Sequence, residues 1–281
     1  MPELPDLLYL QKYLRKKISN STITNVRVKQ PVVLRVAVNK PYEQALMGKR
    51  IMDVAVNGPF IRFELTGALD LVINLMVMGK LQLQDGKEKS QGYLCFSLSL
   101  NDGRALNLCD EQKMAKAYLV HRGDFGLIPK YSAQGTDILS PEFTPEQFKT
   151  IASKHTRKQV RVFINDHSIL SAIGNAYADE ILFDAKIHPK TFVGKLPHQE
   201  LAALYSSIRS VMDWGIRKVE EAQQPIHVKV RDHMKVRGRL GKPCPRCSTT
   251  IRREGVHSYD VFFCPTCQPA SRKLFLDWTR T

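Results

Sequence analysis

The sequence predicts an α+β chain of several domains: a β-sandwich preceded by one helix, then a helical domain, then a small hairpin closed by cysteines. Three observations carry this. β-Branched, alternating runs fill residues 22 to about 120, helical periodicity with recognisable starts takes over from 144 to 221, and two Cys-X-X-Cys pairs stand sixteen residues apart near the C-terminus.

The first helix is expected over residues 6 to 18. Leu7, Leu10, Leu14 and Ile18 share one face, Leu8 and Tyr13 flank it, and Pro5 suits a helix start. Strands are expected at 22–28, 32–38, 51–56, 61–65, 69–83, 93–100 and 105–108, with Asn101-Asp102-Gly103-Arg104 as a hairpin turn between the last two. A polar stretch from Lys130 to Thr136 reads as a linker. Thr144 then serves as N-cap, with Pro145 and Glu146 opening a helix through Phe148, Ile151 and Ala152. A second helical run, Ser168 to Ile173, breaks at Gly174-Asn175 and resumes from Ala176 to about Ala185, before His188-Pro189. The last helix spans about His198 to Glu221, with Leu201, Leu204, Tyr205, Ile208, Val211 and Met212 on one side. These stripes are read as core packing.

Composition narrows the partner. The chain has 281 residues with 42 Lys and Arg against 27 Asp and Glu, a formal charge of +15, which favours a polyanion. An apolar fraction of 43% with 25% charged residues excludes wholesale disorder. No stretch approaches the roughly 18 apolar residues of a membrane span, and MPELPDLLYL lacks the basic start and apolar run of a signal peptide. A cytoplasmic protein is expected, nucleoid-associated if bacterial, without a membrane partner.

Cys244-Pro245-Arg246-Cys247 and Cys264-Pro265-Thr266-Cys267 form two Cys-X-X-Cys turns. Such turns bring four thiolates to one tetrahedral ion, and four soft ligands with no open position indicate one structural zinc. Two disulfides or unpaired thiols remain the weaker alternative. Cations crowd this module: residues 226–255 hold nine Lys and Arg against Asp232 and Glu254, a net +7. A charge run is often only a solvated face; beside a zinc hairpin it favours nucleic acid.

The N-terminus offers a reagent. On its own, Pro2-Glu3 reads as a helix start. Removal of Met1, which the small second residue suits, makes the Pro2 nitrogen a secondary amine with an appreciable neutral fraction at physiological pH. Such an amine attacks a sugar C1′ and forms an iminium, and Glu3, its pKa raised by burial, would be the general acid.

Together, Pro2-Glu3-Leu4-Pro5, the segment Ile173-Gly174-Asn175-Ala176-Tyr177-Ala178-Asp179-Glu180-Ile181-Leu182-Phe183 with Ile187-His188-Pro189, and Val236-Arg237-Gly238-Arg239-Leu240-Gly241-Lys242-Pro243-Cys244 resemble the formamidopyrimidine-DNA glycosylase and endonuclease VIII family. The resemblance spans almost the whole chain. It implies a catalytic β-sandwich domain at 1–130, a helix-two-turns-helix DNA-binding domain at 131–225, a four-cysteine zinc-finger hairpin at 226–270 and a tail at 271–281. It further implies a base excision repair enzyme, DNA glycosylase and AP lyase, acting as a monomer on double-stranded DNA with a damaged or abasic site. The damaged nucleotide is flipped from the stack, because C1′ is otherwise inaccessible. Pro2 and Glu3 would be catalytic, and Asn175 and Arg239 would bind DNA.

The resemblance also exposes departures. Gly58-Pro59-Phe60 stands where the family has a Gly-Lys-Tyr-like turn whose lysine contacts phosphate, leaving Arg62 or Lys80 as partial substitutes. Asp110-Glu111-Gln112-Lys113-Met114-Ala115 replaces an Asp-Pro-Arg-Arg-Phe-Gly-like loop, with Lys113 as phosphate contact, Gln112 as polar filler and Met114 as apolar wedge. Val77 stands at another filler position. Tyr259 occupies the place of a phosphate-binding arginine, which Arg252, Arg253 or His257 would replace. Two alternatives stay open: a glycosylase for unusual lesions with weak lyase activity, and a non-enzymatic damage-binding protein on the same scaffold.

Overall fold

A computed structural model describes residues 1–85, 90, 92–257 and 259–270; the tail expected at 271–281 lies outside the described residues. The chain divides into two compact units. The first comprises Met1–Ala133 with Val219–Val230, the second Gln134–Lys218 with the described residues from Arg231 onward.

The first unit opens with helix α1, Leu4–Ile18, which starts two residues earlier than its apolar stripe indicates because Glu3 and Asp6 form a reciprocal capping box. Its buried face is Leu4, Leu7, Leu10, Leu14 and Ile18, while Arg15, Lys16 and Lys17 lie at the C-terminal end, where the helix dipole favours cations. Among the described residues nine strands follow: β1 (Ile23–Val28), β2 (Leu34–Val36), β3 (Ile51–Asn57), β4 (Phe60–Leu65), β5 (Leu69–Asn74), β6 (Lys80–Asp85), β7 (Leu94–Leu100), β8 (Arg104–Cys109) and β9 (Lys116–His121). They form a four-stranded sheet, β1-β7-β8-β6, and a five-stranded one, β2-β9-β5-β4-β3. One core takes side chains from both sheets and from α1, among them Leu14, Phe63, Leu71, Phe96 and Leu108. A short helix α2, Tyr42–Leu46, adds Tyr42 and Leu46.

Two expectations need correction here. The run 69–83 is two strands, because the chain turns at Met76, with φ of 51°, and at Gly79, where a Cβ would lie 2.3 Å from the Leu75 carbonyl oxygen. The run 32–38 begins as a 3-10 turn, Pro31–Val33, and only its centre is a strand. β9 also goes unsignalled: Lys116-Ala117-Tyr118-Leu119-Val120-His121 has one β-branched residue, yet it pairs with β5 along its whole length.

The second unit holds α3 (Pro145–Ser153), α4 (Val160–Asn165), α5 (Asn175–Asp184) and most of α6 (His198–Ala222), then the hairpin β10 (Arg252–Val256) and β11 (Tyr259–Phe263). Thr144 caps α3, its Oγ1 accepting from the Gln147 N–H at 3.2 Å. The helix expected at 168–173 is absent; these residues form turns, and the helix lies earlier, at α4. The cause is local. Asp166 Oδ1 accepts from both the Ser168 N–H, at 3.1 Å, and the Ser168 hydroxyl, at 2.6 Å, which diverts the backbone from helix. The result between α4 and α5 is two successive turns.

Candidate active site and four-cysteine module

The four cysteines converge. All four Sγ atoms lie within 4.8 Å of one another, with Cys244–Cys267 at 3.9 Å and Cys247–Cys264 and Cys247–Cys267 at 3.4 Å. A tetrahedron of sulfurs about 2.3 Å from a zinc ion has edges of this length. Backbone N–H groups of Arg246 and Cys267 donate to Cys244 and Cys264 Sγ, each at 3.4 Å, and would orient the thiolates. Thr249 hydrogen bonds draw the Cys247 thiol down, whereas burial and then the neighbouring thiols push Cys267 up. The module holds one structural zinc, and its small core is Phe183, Val236, Cys244, Ile251 and Cys264.

Two adjacent acids on α5 organise what surrounds Asn175. Asp179 is wholly buried; its Oδ1 accepts from Arg161 Nε at 2.9 Å, and its Oδ2 accepts from Arg237 Nη1 at 2.9 Å and the Phe262 N–H at 3.2 Å. Burial pushes this carboxyl up, and the two guanidiniums pull it back. Glu180 accepts three backbone N–H groups, those of Lys235, Val236 and Arg237, at 2.9 to 3.0 Å. Arg161, also fully buried, reaches Asn175 through Nη2, 3.1 Å from Oδ1 and 3.3 Å from the backbone oxygen. None of these partners is deducible from spacing. The available signal was Arg161 itself, a charge set in the apolar run Val160 to Ile164, which demands a buried counter-charge.

Of the residues singled out from the sequence, Asn175 is half-buried and starts α5 directly after Gly174. Arg239 is half-buried, and its Nε lacks a hydrogen-bond partner among the described residues. Tyr259, 40% exposed, stands at the start of β11 with the Arg161 guanidinium 5.6 Å from its ring centroid. Arg252 and Arg253 are exposed on β10, Arg253 pairing with Asp260 at 3.8 Å; His257 sits in the turn at φ of 44°.

In the first unit, Pro2 is half-buried and Glu3 is 7% exposed. The Glu3 N–H donates to Asp6 Oδ2 at 2.8 Å, and the Glu3 side chain accepts from the backbone of Asp6, so the capping box fixes the residue beside Pro2. Gln112, Lys113 and Met114 share one turn, held by the buried Asp110 carboxylate, which accepts from the Gln112 and Ala115 N–H groups at 3.0 and 2.7 Å. Gln112 and Met114 are exposed, whereas Lys113 lies half-buried with Nζ 4.9 Å from the Tyr93 ring. Val77 and Met78 are exposed on the β5–β6 turn, where the Val77 carbonyl accepts from Lys229 Nζ at 3.2 Å. Gly58-Pro59 is the two-residue tip of the β3–β4 hairpin, with Gly58 at φ of 55°. Arg62 is committed to Glu64 and to the Phe125 ring, so it does not substitute for a cation at that tip.

Comparison with known proteins adds a separate line. Family models match three segments: the formamidopyrimidine-DNA glycosylase N-terminal domain at residues 1–117, the formamidopyrimidine-DNA glycosylase H2TH domain at 134–225, and the zinc finger found in FPG and IleRS at 241–270. A formamidopyrimidine-DNA glycosylase from Symbiobacterium thermophilum is 30% identical over 279 residues, covering 96% of this chain and 90% of its own. The crystal structure of the MutM (Fpg) protein from Thermus thermophilus superposes with a TM-score of 0.83 at 27% identity, over 96% of this chain and all of its own. A complex of the Lactococcus lactis Fpg with DNA containing an abasic site gives a TM-score of 0.86 at 23% identity and 96% coverage of this chain and 100% of that one, a likeness of fold.

Proposed function

The chain belongs to the formamidopyrimidine-DNA glycosylase family, and from that premise we propose that it excises damaged bases from DNA through a Pro2 iminium and then nicks the strand. As a member of this family it is a base excision repair DNA glycosylase with one structural zinc. The observation that carries the residue assignment is the Glu3–Asp6 capping box, which holds a buried carboxyl next to the second residue.

With Met1 removed, the Pro2 nitrogen lone pair forms a bond to C1′ as the glycosidic bond breaks. Those bonding electrons leave with the base; the nitrogen then sheds its proton, and its lone pair breaks the C1′–O4′ bond to open the sugar to the iminium, a Glu3 proton neutralising O4′. A secondary amine gives a cationic iminium, which acidifies C2′–H; loss of that proton expels the 3′ phosphate, and water then releases Pro2. Asn175 and Arg239 contact the backbone phosphates, Lys113 supports them, and Gln112 and Met114 occupy the space the flipped nucleotide leaves. Duplex DNA with a damaged or abasic site is the substrate, met by a monomer in the cytoplasm, on the nucleoid if the host is a bacterium.

Pro59 at the hairpin tip and Tyr259 on β11 favour a second reading within the first, base release with weak strand cleavage, because both replace cations expected to assist elimination. Intact mass measurement followed by borohydride trapping on oxidised-base and abasic duplexes tests the scheme. A Pro2-dependent adduct is expected; a Met1-free protein that yields none overturns it.

A further inference from the structure

We propose that Arg161 is the positioning residue of the Asn175 phosphate contact, an inference that rests on the DNA-repair reading above. A guanidinium carries donors only. Arg161 Nη2 lies 3.1 Å from Asn175 Oδ1, so the inward atom of that amide is its oxygen, and Nδ2 with its two protons faces the other way. No hydrogen bond among the described residues occupies Nδ2. Asn175 is also the first residue of α5, so those protons join the N–H groups of a helix N-terminus, where an anion is favoured.

Arg161 is itself held so that it cannot swing away. Its Nε is on Asp179 at 2.9 Å, Nη1 is on Asn165 Oδ1 at 3.0 Å, and its side chain has no exposed surface. Asn165 in turn donates through Nδ2 to the Ile173 carbonyl at 2.6 Å, which pins the turn entering Gly174-Asn175. Two guanidiniums, Arg161 and Arg237, share the single carboxylate of Asp179. Where the family resemblance places an exposed arginine on the finger, this chain has the Tyr259 ring over Arg161. The cation thus acts from inside the unit, through Asn175, and does not touch the phosphate.

Affinity for a duplex carrying a tetrahydrofuran abasic analogue, which cannot form the iminium, reads this contact without chemistry. N175A is expected to weaken binding roughly tenfold, as loss of one charge-assisted hydrogen bond does. R161M should weaken it by a similar factor and R161K by less, since a lysine retains one donor. In the N175A background neither Arg161 variant should weaken binding further. A purely architectural Arg161 would instead give multiplicative losses in the double variants, and that result overturns the proposal. Should R161M fail to fold, the R161K and N175A pair decides it by the same criterion. Borohydride trapping by the wild-type protein is read in parallel: its failure sinks the Pro2 scheme while the binding cycle stays interpretable, and multiplicative losses with trapping intact sink the Arg161 role alone.

Discussion

Replacing Glu180 tests how the zinc module is joined to α5. The carboxylate is 2% exposed, with Oε1 accepting from the Val236 and Arg237 N–H groups at 2.9 Å and Oε2 from that of Lys235 at 3.0 Å. E180Q keeps the volume and one acceptor oxygen but turns an NH2 toward a backbone donor, so one N–H is orphaned. That costs about 1–3 kcal/mol, offset by relief of the desolvated charge, for a net loss of about 1–2 kcal/mol. E180A orphans all three donors and frees 235–237, among which Val236 fills the module core; about 3–5 kcal/mol is expected. Burial, the first cause, raises this carboxyl from the ordinary 4.5. The folded state therefore keeps a proton that the unfolded chain releases, so wild-type stability falls as pH rises from 4.5 through the folded value. E180Q should lack that decline. Denaturant unfolding across this range, with zinc release followed by a chromogenic chelator, measures both effects. E180A within about 0.5 kcal/mol of wild type, or E180Q the more damaging of the two, would refute the reasoning.

Other consequences are as direct. Asp166 is lowered, the Ser168 and Lys158 hydrogen bonds outweighing burial, so its stabilisation is present above 3.8 and lost as pH falls through the still lower folded value; D166N should flatten that acid limb of the thermal midpoint. C264S should drop the metal content below one zinc per chain by atomic absorption and abolish cooperative melting of the hairpin. G215A would set a Cβ 2.2 Å from Tyr177 Cε1, a fully buried ring, and should cost about 1–3 kcal/mol in thermal unfolding. P59K should raise strand nicking relative to base release on duplexes carrying an oxidised base; an unchanged ratio would exclude Pro59 as the cause of weak elimination.

What could be read in advance followed from periodicity and from short-range chemistry. The Leu7 to Ile18 stripe, the Thr144 cap and the Asn101-Asp102-Gly103 turn each depend on residues within a few positions, and the structure has all three. The cysteine pairs were equally legible, since ligand spacing is a local property. Failures have a common physical origin in tertiary contacts. The run 69–83 looks continuous until close packing of Gly79 on Leu75 forces a turn, and 168–173 looks helical until Asp166 captures Ser168. The surroundings of Asn175 were invisible for the same reason, because Arg161, Asp179 and Arg237 meet only after α4, α5 and the lead into the finger have packed.

That meeting changes the meaning of the finger's charge. Nine cations in residues 226–255 look like a solvated, DNA-facing surface, yet they are not equivalent. Arg237 spends its guanidinium on Asp179 and on the Asp260 carbonyl, at 2.9 and 2.7 Å, and Arg246 spends its own on the Phe183 carbonyl at 2.9 Å and over the Phe183 ring. Gln268, fully buried, accepts from the Cys264 N–H and donates to the Ile187 carbonyl. These bonds run from the cysteines to Phe183 on α5 and to Ile187, three residues past its end. The Phe262 N–H on Asp179 then continues the path to Arg161 and Asn175. The four cysteines, holding zinc, would fix the strand whose Phe262 N–H completes the Asp179 shell. A buried carboxylate with one guanidinium and one backbone donor removed is a poor anchor, because the desolvation it has incurred no longer has full compensation. If Asn175 holds a phosphate as proposed, the metal's contribution to DNA recognition passes through the rigidity of that one amide on α5 as much as through the cations of the finger.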